Sequence, residues 1–369
     1  MEKLNKIFSF DIKLFINILF IIGIGLLTIY SVSFENPGFN NFKRQVLFVT
    51  LALIIFWITS RMNYGIWKNY AGVMYLLGLL LMVIVLFLGE EKHGTVGWLG
   101  ASTYHLQPVE LIKMATILIL AKYFSKIKPD DKRLRHLIIS GAYCFVPVVL
   151  ALAQPDLGSA AVIVSVWLIL LLIWGIKRRQ AIVLLGVALV ISLLSWLIFL
   201  KPYQKARVTT FLNPGADPAG SGYHIIQSIT AIGSGGIHGK GLGYGSQSQL
   251  HFLPEAHTDF IYSVIGEELG FIGAIILIIG FSLLFLKIYK IACNSIDNFG
   301  RFIVIGTMGM LFVQFMVNIG MNIGLVPITG LPLPLVSYGG SALLTSMFLL
   351  GIVFNIDTTS RKLEGYLND

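Results

Sequence analysis

The chain alternates long apolar runs with short polar connections. A helix that crosses a bilayer needs about 20 mostly apolar residues. Ten segments meet that length: 14–33, 44–60, 69–88, 107–124, 137–153, 157–175, 180–199, 258–287, 302–323 and 335–356. The fifth and sixth are separated only by Gln154-Pro155-Asp156. Pro155, and a combined length near twice a span, make them a hairpin. The pattern predicts an all-α polytopic membrane protein, with about ten transmembrane helices in a single domain over 1–369. Its one sizeable polar segment is a loop over 200–257, between helices 7 and 8, rich in Gly and turn residues. Structureless loops of this length are uncommon unless functional, so it is expected to fold partly over the membrane face.

Composition agrees with the pattern. Hydrophobic residues make up 56% of the chain and charged ones 12%, with a mean hydropathy of +0.81. A soluble domain carries about 25% charged residues, so this chain has too little polar surface for water. The net charge of +9 does not point to nucleic acid, because no basic patch is interleaved with an aromatic platform. It lies instead in the short connections, where it orients the helices. With a cytoplasmic N-terminus, nineteen of the 27 Lys and Arg fall on the cytoplasmic side and seven outside, while Lys113 sits within a span. Both termini are therefore expected in the cytoplasm and the 200–257 loop outside. The first apolar run follows Lys3, Lys6 and Lys13 without an A-x-A-like cleavage site, and reads as a retained anchor. Cys144 lies in an apolar run and Cys293 on the cytoplasmic side, so no disulfide is expected.

Few residues in such a chain can carry chemistry. Gly239-Lys240-Gly241-Leu242-Gly243 fails the phosphate-loop pattern. It reads as a flexible turn or as a run of backbone N–H groups that meets a phosphate. His251, Glu255, His257 and Asp259 match no zinc spacing. A Mg²⁺ or Mn²⁺ ion shared between Asp259 and a substrate pyrophosphate fits better, since such ions bind through one or two carboxylates plus phosphates. Asp259, at the start of the eighth span, is either a helix cap or a functional carboxylate. Glu110 and Lys113, three apart on one helix face, either neutralise each other or hold a phosphate together. Asp156 is placed to cap the sixth helix, Arg44 opens the second span, and Arg207 is a loop cation with an open role. Arg44, Glu110, Asp156, Asp259 and Ser337-Tyr338-Gly339-Gly340-Ser341 all fall at outer helix ends in the expected topology, with Lys113 one turn deeper. That convergence suggests one site at the outer leaflet.

Leu253-Pro254-Glu255-Ala256-His257-Thr258-Asp259-Phe260-Ile261, followed by Gly266-Glu267-Glu268-Leu269-Gly270, resembles the signature of the SEDS family (shape, elongation, division and sporulation). Gln107 to Lys113, Gln154 to Gly158 and Leu333 to Ser341 resemble its other motifs. Gly245-Ser246-Gln247-Ser248-Gln249-Leu250 is similar to the elongation (RodA) branch rather than the division (FtsW) branch, with Ser246 where Thr is expected.

The resemblance implies a peptidoglycan glycosyltransferase of the bacterial cytoplasmic membrane that polymerises lipid II, an undecaprenyl-pyrophosphoryl disaccharide-peptide. It implies Asp259 as the essential carboxylate and Glu110 and Lys113 as the paired membrane charges. It also implies a class B penicillin-binding protein as partner, among other membrane proteins of the elongation complex, and no organic cofactor. The leaving pyrophosphate needs no protein acid. One carboxylate can activate the acceptor sugar's 4-hydroxyl for inverting attack, and Arg44, Glu110, Lys113, Asp156, Arg207 and Lys240 are left as candidates to bind the substrate. A lipid II flippase or transporter is the rival reading, with a scaffold role third. A flippase needs polar lining through the full membrane depth, and the inner ends of these spans lack comparable carboxylates.

Overall fold

The fold was examined in a computed structural model. It describes residues 11–33, 39–92, 95–100, 105–128, 131, 133–194, 197, 205, 209–213, 215, 221–250, 252–253 and 255–368. Nearly all of the described chain is helical. The first three long helices are α1 (Ile12–Val32), α2 (Asn40–Arg61) and α3 (Gly65–Leu88). A short antiparallel hairpin of β1 (Glu90–Lys92) and β2 (Thr95–Trp98) leads into α4 (Pro108–Lys126). Next come α5 (Leu134–Ala153), α6 (Leu157–Trp174) and α7 (Arg178–Leu194).

The ends of these helices follow local chemistry. Asp11 caps α1 by accepting the Leu14 N–H at 3.0 Å, and Pro108 takes the first turn of α4, where its missing N–H costs nothing. Asp156 caps α6 by accepting the Ser159 N–H at 2.8 Å.

The 200–257 segment is partly folded, as expected. It contains α8 (Ser221–Ser234) and the single turn α9 (Ser246–Gln249), both packed against α10 (Ile261–Glu268). After these follow α11 (Gly270–Cys293), α12 (Asn298–Asn322) and α13 (Gly340–Asn368). Two expected spans need correction. The run 258–287 is not one helix: residues 255–260 form turns, α10 is a separate short helix, and the chain breaks at Gly270, whose φ of +68° leaves the helical region. The last span begins at Gly340 rather than 335, since 335–339 are non-helical. Arg44 also lies one turn inside α2, which starts at Asn40.

Eight described helices are long and apolar enough to cross a membrane: α1, α2, α3, α5, α6, α11, α12 and α13. The charges of α4 and the 17-residue length of α7 set those two apart. α4 is the hub, packed by α3, α6 and α12, and most of its residues are buried. Large apolar side chains such as Phe87, Leu172 and Ile182 point outward, the surface of a protein whose solvent is lipid.

The helices form two polar ends. At one, Lys287 of α11 and Arg361 of α13 donate to the Asp11 carboxylate at 2.9 and 2.7 Å. The Tyr64 hydroxyl donates to Asp297, which precedes α12, at 3.0 Å. At the other, Gln249 donates to the Ser31 carbonyl of α1 at 3.1 Å, and the Gln107 N–H to Ser341 at 3.1 Å.

Close approach at this second end relies on glycine. A Cβ on Gly25 of α1 would lie 2.5 Å from the Val336 carbonyl oxygen and 2.8 Å from its Cα, both backbone atoms. Gly25→Ala is therefore expected to lower stability by about 1–3 kcal/mol. Thermal denaturation of the purified protein in detergent measures it, and an unchanged melting point would mean that this approach is not tight.

Candidate functional site

At the second polar end the chain leaves helical geometry twice, over 255–260 and over 323–339, and the two irregular stretches hold each other. Thr258 donates to the Glu255 carbonyl and carboxylate at 3.2 and 3.1 Å, which closes the first turn. Ser337 donates to the Thr258 carbonyl at 2.6 Å and accepts the Leu333 N–H at 2.8 Å. The Tyr338 N–H donates to the His257 carbonyl at 2.9 Å. From α2, the Gln45 carboxamide donates to the Ser337 carbonyl at 3.3 Å and accepts the Gly339 N–H at 3.2 Å.

Asp259 lies in the middle of this arrangement. Its carbonyl accepts two side-chain bonds from α12, from Asn318 and Asn322, each at 3.0 Å. Both Asn side chains are completely buried. Asn318 donates also to the Leu331 carbonyl at 2.8 Å, and Asn322 accepts the Ser263 hydroxyl at 2.6 Å. Ser228 of α8 donates to the Asn322 carbonyl at 2.7 Å. The backbone of Asp259 is thus fixed from the adjacent helix while its side chain remains half-buried. Phe260 occupies the N-cap position of α10, and Asp259 stands one residue before it.

Other expected residues gather around this frame. A Cβ on Gly158 would lie 2.9 Å from the Thr329 carbonyl, so the Asp156 turn packs on the second irregular stretch. Gly330, in the same stretch, faces the Asp259 carboxylate at 3.6 Å, measured from where its Cβ would be. Asp156 itself is engaged as the cap of α6. α4 reaches the frame through the bond from Gln107 to Ser341, and one turn in, Lys113 and Glu110 form a closed ion pair of 2.5 Å. The two side chains are 1% and 3% exposed, so each neutralises the other. Arg44 is partly exposed beside Gln45.

Lys240 is occupied elsewhere. Its ammonium donates to the fully buried Glu267 and to Ser246, both at 2.8 Å. The phosphate-contacting reading of residues 239–243 is corrected: the N–H groups of Lys240 and Gly241 donate to the carbonyls of Glu267 and Glu268, and that of Gly243 to Ser31. They have no capacity left for an anion. The turn depends on glycine, with φ of +81°, +97° and +80° at Gly239, Gly241 and Gly243. Arg207 and His251 lie outside the described residues.

Sequence reasoning missed Asn318, Asn322 and Gln45. The available signal was Asn318 and Asn322 four apart, on one face of an otherwise apolar run. Among the described residues no three His, Cys, Asp or Glu side chains converge on a metal-sized space.

A bundle of helices long and apolar enough to cross a membrane, with polar side chains gathered at its two ends, defines a multi-pass membrane protein. A family model described as cell cycle protein, covering FtsW, RodA and SpoVE, matches residues 12–362, and the chain belongs to that SEDS family of the bacterial cytoplasmic membrane. The peptidoglycan glycosyltransferase MrdB of Escherichia coli (strain K12) is 38% identical over 92% of this chain and 90% of its own. The stage V sporulation protein E of Bacillus subtilis (strain 168) is 35% identical over 95% and 98%. Among solved structures, a chain of a peptidoglycan synthase complex that coordinates polymerization and crosslinking aligns with a TM-score of 0.81 at 29% identity, over 96% and 99% of the two chains. The rod shape determining protein RodA of Thermus thermophilus aligns at 0.71 and 26%, over 95% and 97%.

The Lys240–Glu267 contact has a pH signature. Burial pushes the Glu267 carboxyl up, yet the Gln247 N–H, Lys240 and the Ser248 N–H hold it below its ordinary 4.5. A depressed carboxylate contributes stability that is complete above 4.5 and is lost as pH falls below that value. Burial pushes neighbouring Glu268 the other way, so its titration lies above 4.5. Protection of the amides of residues 239–249 against hydrogen exchange, relative to the intrinsic rate at each pH, is therefore expected to fall below pH 4.5, and Glu267→Gln to abolish that acid limb. An acid limb retained in the variant would assign it to another group.

Proposed function

We propose that this chain is a peptidoglycan glycosyltransferase that polymerises lipid II at the outer leaflet, with Asp259 as general base, in the service of cell elongation. The observation that carries the reading is the fixed Asp259: two buried carboxamides hold its backbone, while its carboxylate stays half-buried at a helix end. A general base needs this combination of rigid placement and access. The names of the relatives support the activity, and the Gly245 to Leu250 segment supports the elongation branch.

Lys and Arg are concentrated at the Asp11 end. The positive-inside bias puts that end, with both termini, in the cytoplasm and the Asp259 end outside. Lipid II then presents its sugars to Asp259 with its polyprenyl chain in the bilayer. Asp259 accepts the proton of the acceptor's 4-hydroxyl as the oxygen attacks the anomeric carbon, and the pyrophosphate leaves with its electron pair. Arg44 stands on the same rim to bind phosphate. The Glu110–Lys113 pair supports the pyrophosphate from below, and Asp156 shapes the wall as a cap. Lys240 serves the loop rather than the substrate. A divalent ion at Asp259 would take its remaining ligands from phosphate and water, since the described residues hold no cluster of three His, Cys, Asp or Glu side chains. Residues 1–369 act as one unit, with α8 and α9 of the 200–257 loop packed on α10. The peptidoglycan synthase complex similar to this chain supports a class B penicillin-binding protein as partner.

Purified protein incubated with lipid II, with and without that partner, is expected to yield glycan strands on a gel. Asp259→Asn keeps the carbonyl that Asn318 and Asn322 hold, and is expected to insert normally but polymerise at least about 10²-fold more slowly. Polymerisation near the wild-type rate would eliminate Asp259 as the base.

The buried ion pair is tested separately. Lys113→Ala is expected to weaken substrate use in a protein that still inserts. If Glu110→Ala in the same chain restores activity, the pair serves only to cancel charge.

A further inference from the structure

At the Asp11 end, opposite the proposed catalytic site, residues at the end of α4, the start of α5 and just before α7 border an open cavity of about 740 Å³. Lys126, Lys128, Arg133 and Lys177 line it, together with His136 and one carboxylate, Asp131. Asp131 is already paired, 3.0 Å from Arg133 Nε and 3.3 Å from His136 Nε2. Among the described residues, four cations face that one occupied carboxylate, which leaves a surplus of positive charge.

An adjoining cavity of about 610 Å³ shares Arg133 and Lys177, adds Arg179, and is lined by Leu134 and Val183. Those two apolar side chains are 58% and 53% exposed, and Ile138 and Ile182, on the same helices α5 and α7, are 63% and 71% exposed. The basic space therefore opens directly onto apolar side chains at the edge of the bundle.

The geometry points to a binding site for an anionic phospholipid, with its phosphate headgroup among Lys126, Arg133 and Lys177 and its acyl chains along Leu134 and Val183. The cations alone would suit any phosphate, but exposed lysines hold a free ion weakly and salt screens them. The apolar flank adds the term that only a lipid uses, and Arg133 at the junction meets the headgroup with a planar fork of donors. Each Lys or Arg near an anionic membrane surface contributes a factor of about five in binding. The inference rests on the helices lying in a bilayer and stands apart from the glycosyltransferase reading.

Native mass spectrometry of the full chain in detergent tests it, with phosphatidylglycerol or phosphatidylcholine added. Phosphatidylglycerol is expected to stay bound and phosphatidylcholine to be lost. The K126Q/R133Q/K177Q variant is expected to bind phosphatidylglycerol about 100-fold more weakly. K290Q/R301Q, which removes two cations elsewhere at the same end, is expected to bind like wild type. Three results would overturn the proposal: wild-type binding in the triple variant, an equal loss in the K290Q/R301Q control, or displacement of the lipid by millimolar inorganic phosphate. If the triple variant does not fold, Lys177→Gln, in an exposed connection, carries the test with an expected loss of about five-fold. Unchanged binding there overturns the proposal equally.

Discussion

Backbone that leaves the helix inside a lipid-embedded bundle has no water to bond, so its N–H and C=O groups must find partners within the protein. That constraint governs the Asp259 end. Asn318, Asn322, Ser337, Gln45 and Ser341 each place a side-chain donor or acceptor on a main-chain group of an irregular stretch or its neighbour. The same bonds that make the turns tolerable make them rigid. Asp259 therefore takes its position from α12, a long helix with most of its length buried, and not from the loop that precedes it in sequence.

Charge obeys a parallel rule. A carboxylate taken out of water is costly unless a cation or several donors meet it. Glu110 has Lys113, Glu267 has Lys240 and two backbone N–H groups, and Asp11 has Lys287 and Arg361. Such a pair can consume a cation that, read singly, looks available to an anionic substrate. Lys240 is the clearest instance: it stands in a glycine-rich turn suggestive of phosphate binding, yet it is drawn down onto a fully buried carboxylate. The basic cavity at the opposite end differs because, among the described residues, its cations outnumber its carboxylates.

The architecture also separates roles along α4. Its first turn joins the frame around Asp259, its second carries the closed ion pair, and its last residue, Lys126, lines the basic cavity. One helix thus runs between the two polar ends, packed chiefly by α3, α6 and α12.

Most of the helices were legible from hydropathy, because an apolar run long enough to span a bilayer is a local property that needs no knowledge of neighbours. The Asp156 cap was legible for the same reason, since its partner is three residues away. The break at Gly270 was not: Phe271 to Phe285 is apolar enough to absorb the preceding short helix into one apparent span, and hydropathy carries no φ angle. Asn318 and Asn322 were visible as polar residues on one face, but nothing local says that they reach a carbonyl 59 and 63 residues earlier. The chain by itself determined a multi-pass helical bundle with Asp259 and its motif companions near one end. Only the tertiary structure decided which charges are spent on each other and which carbonyl the carboxamides hold. Hydrogen bonds and ion pairs act over about 3 Å, and that proximity exists only once distant segments have packed.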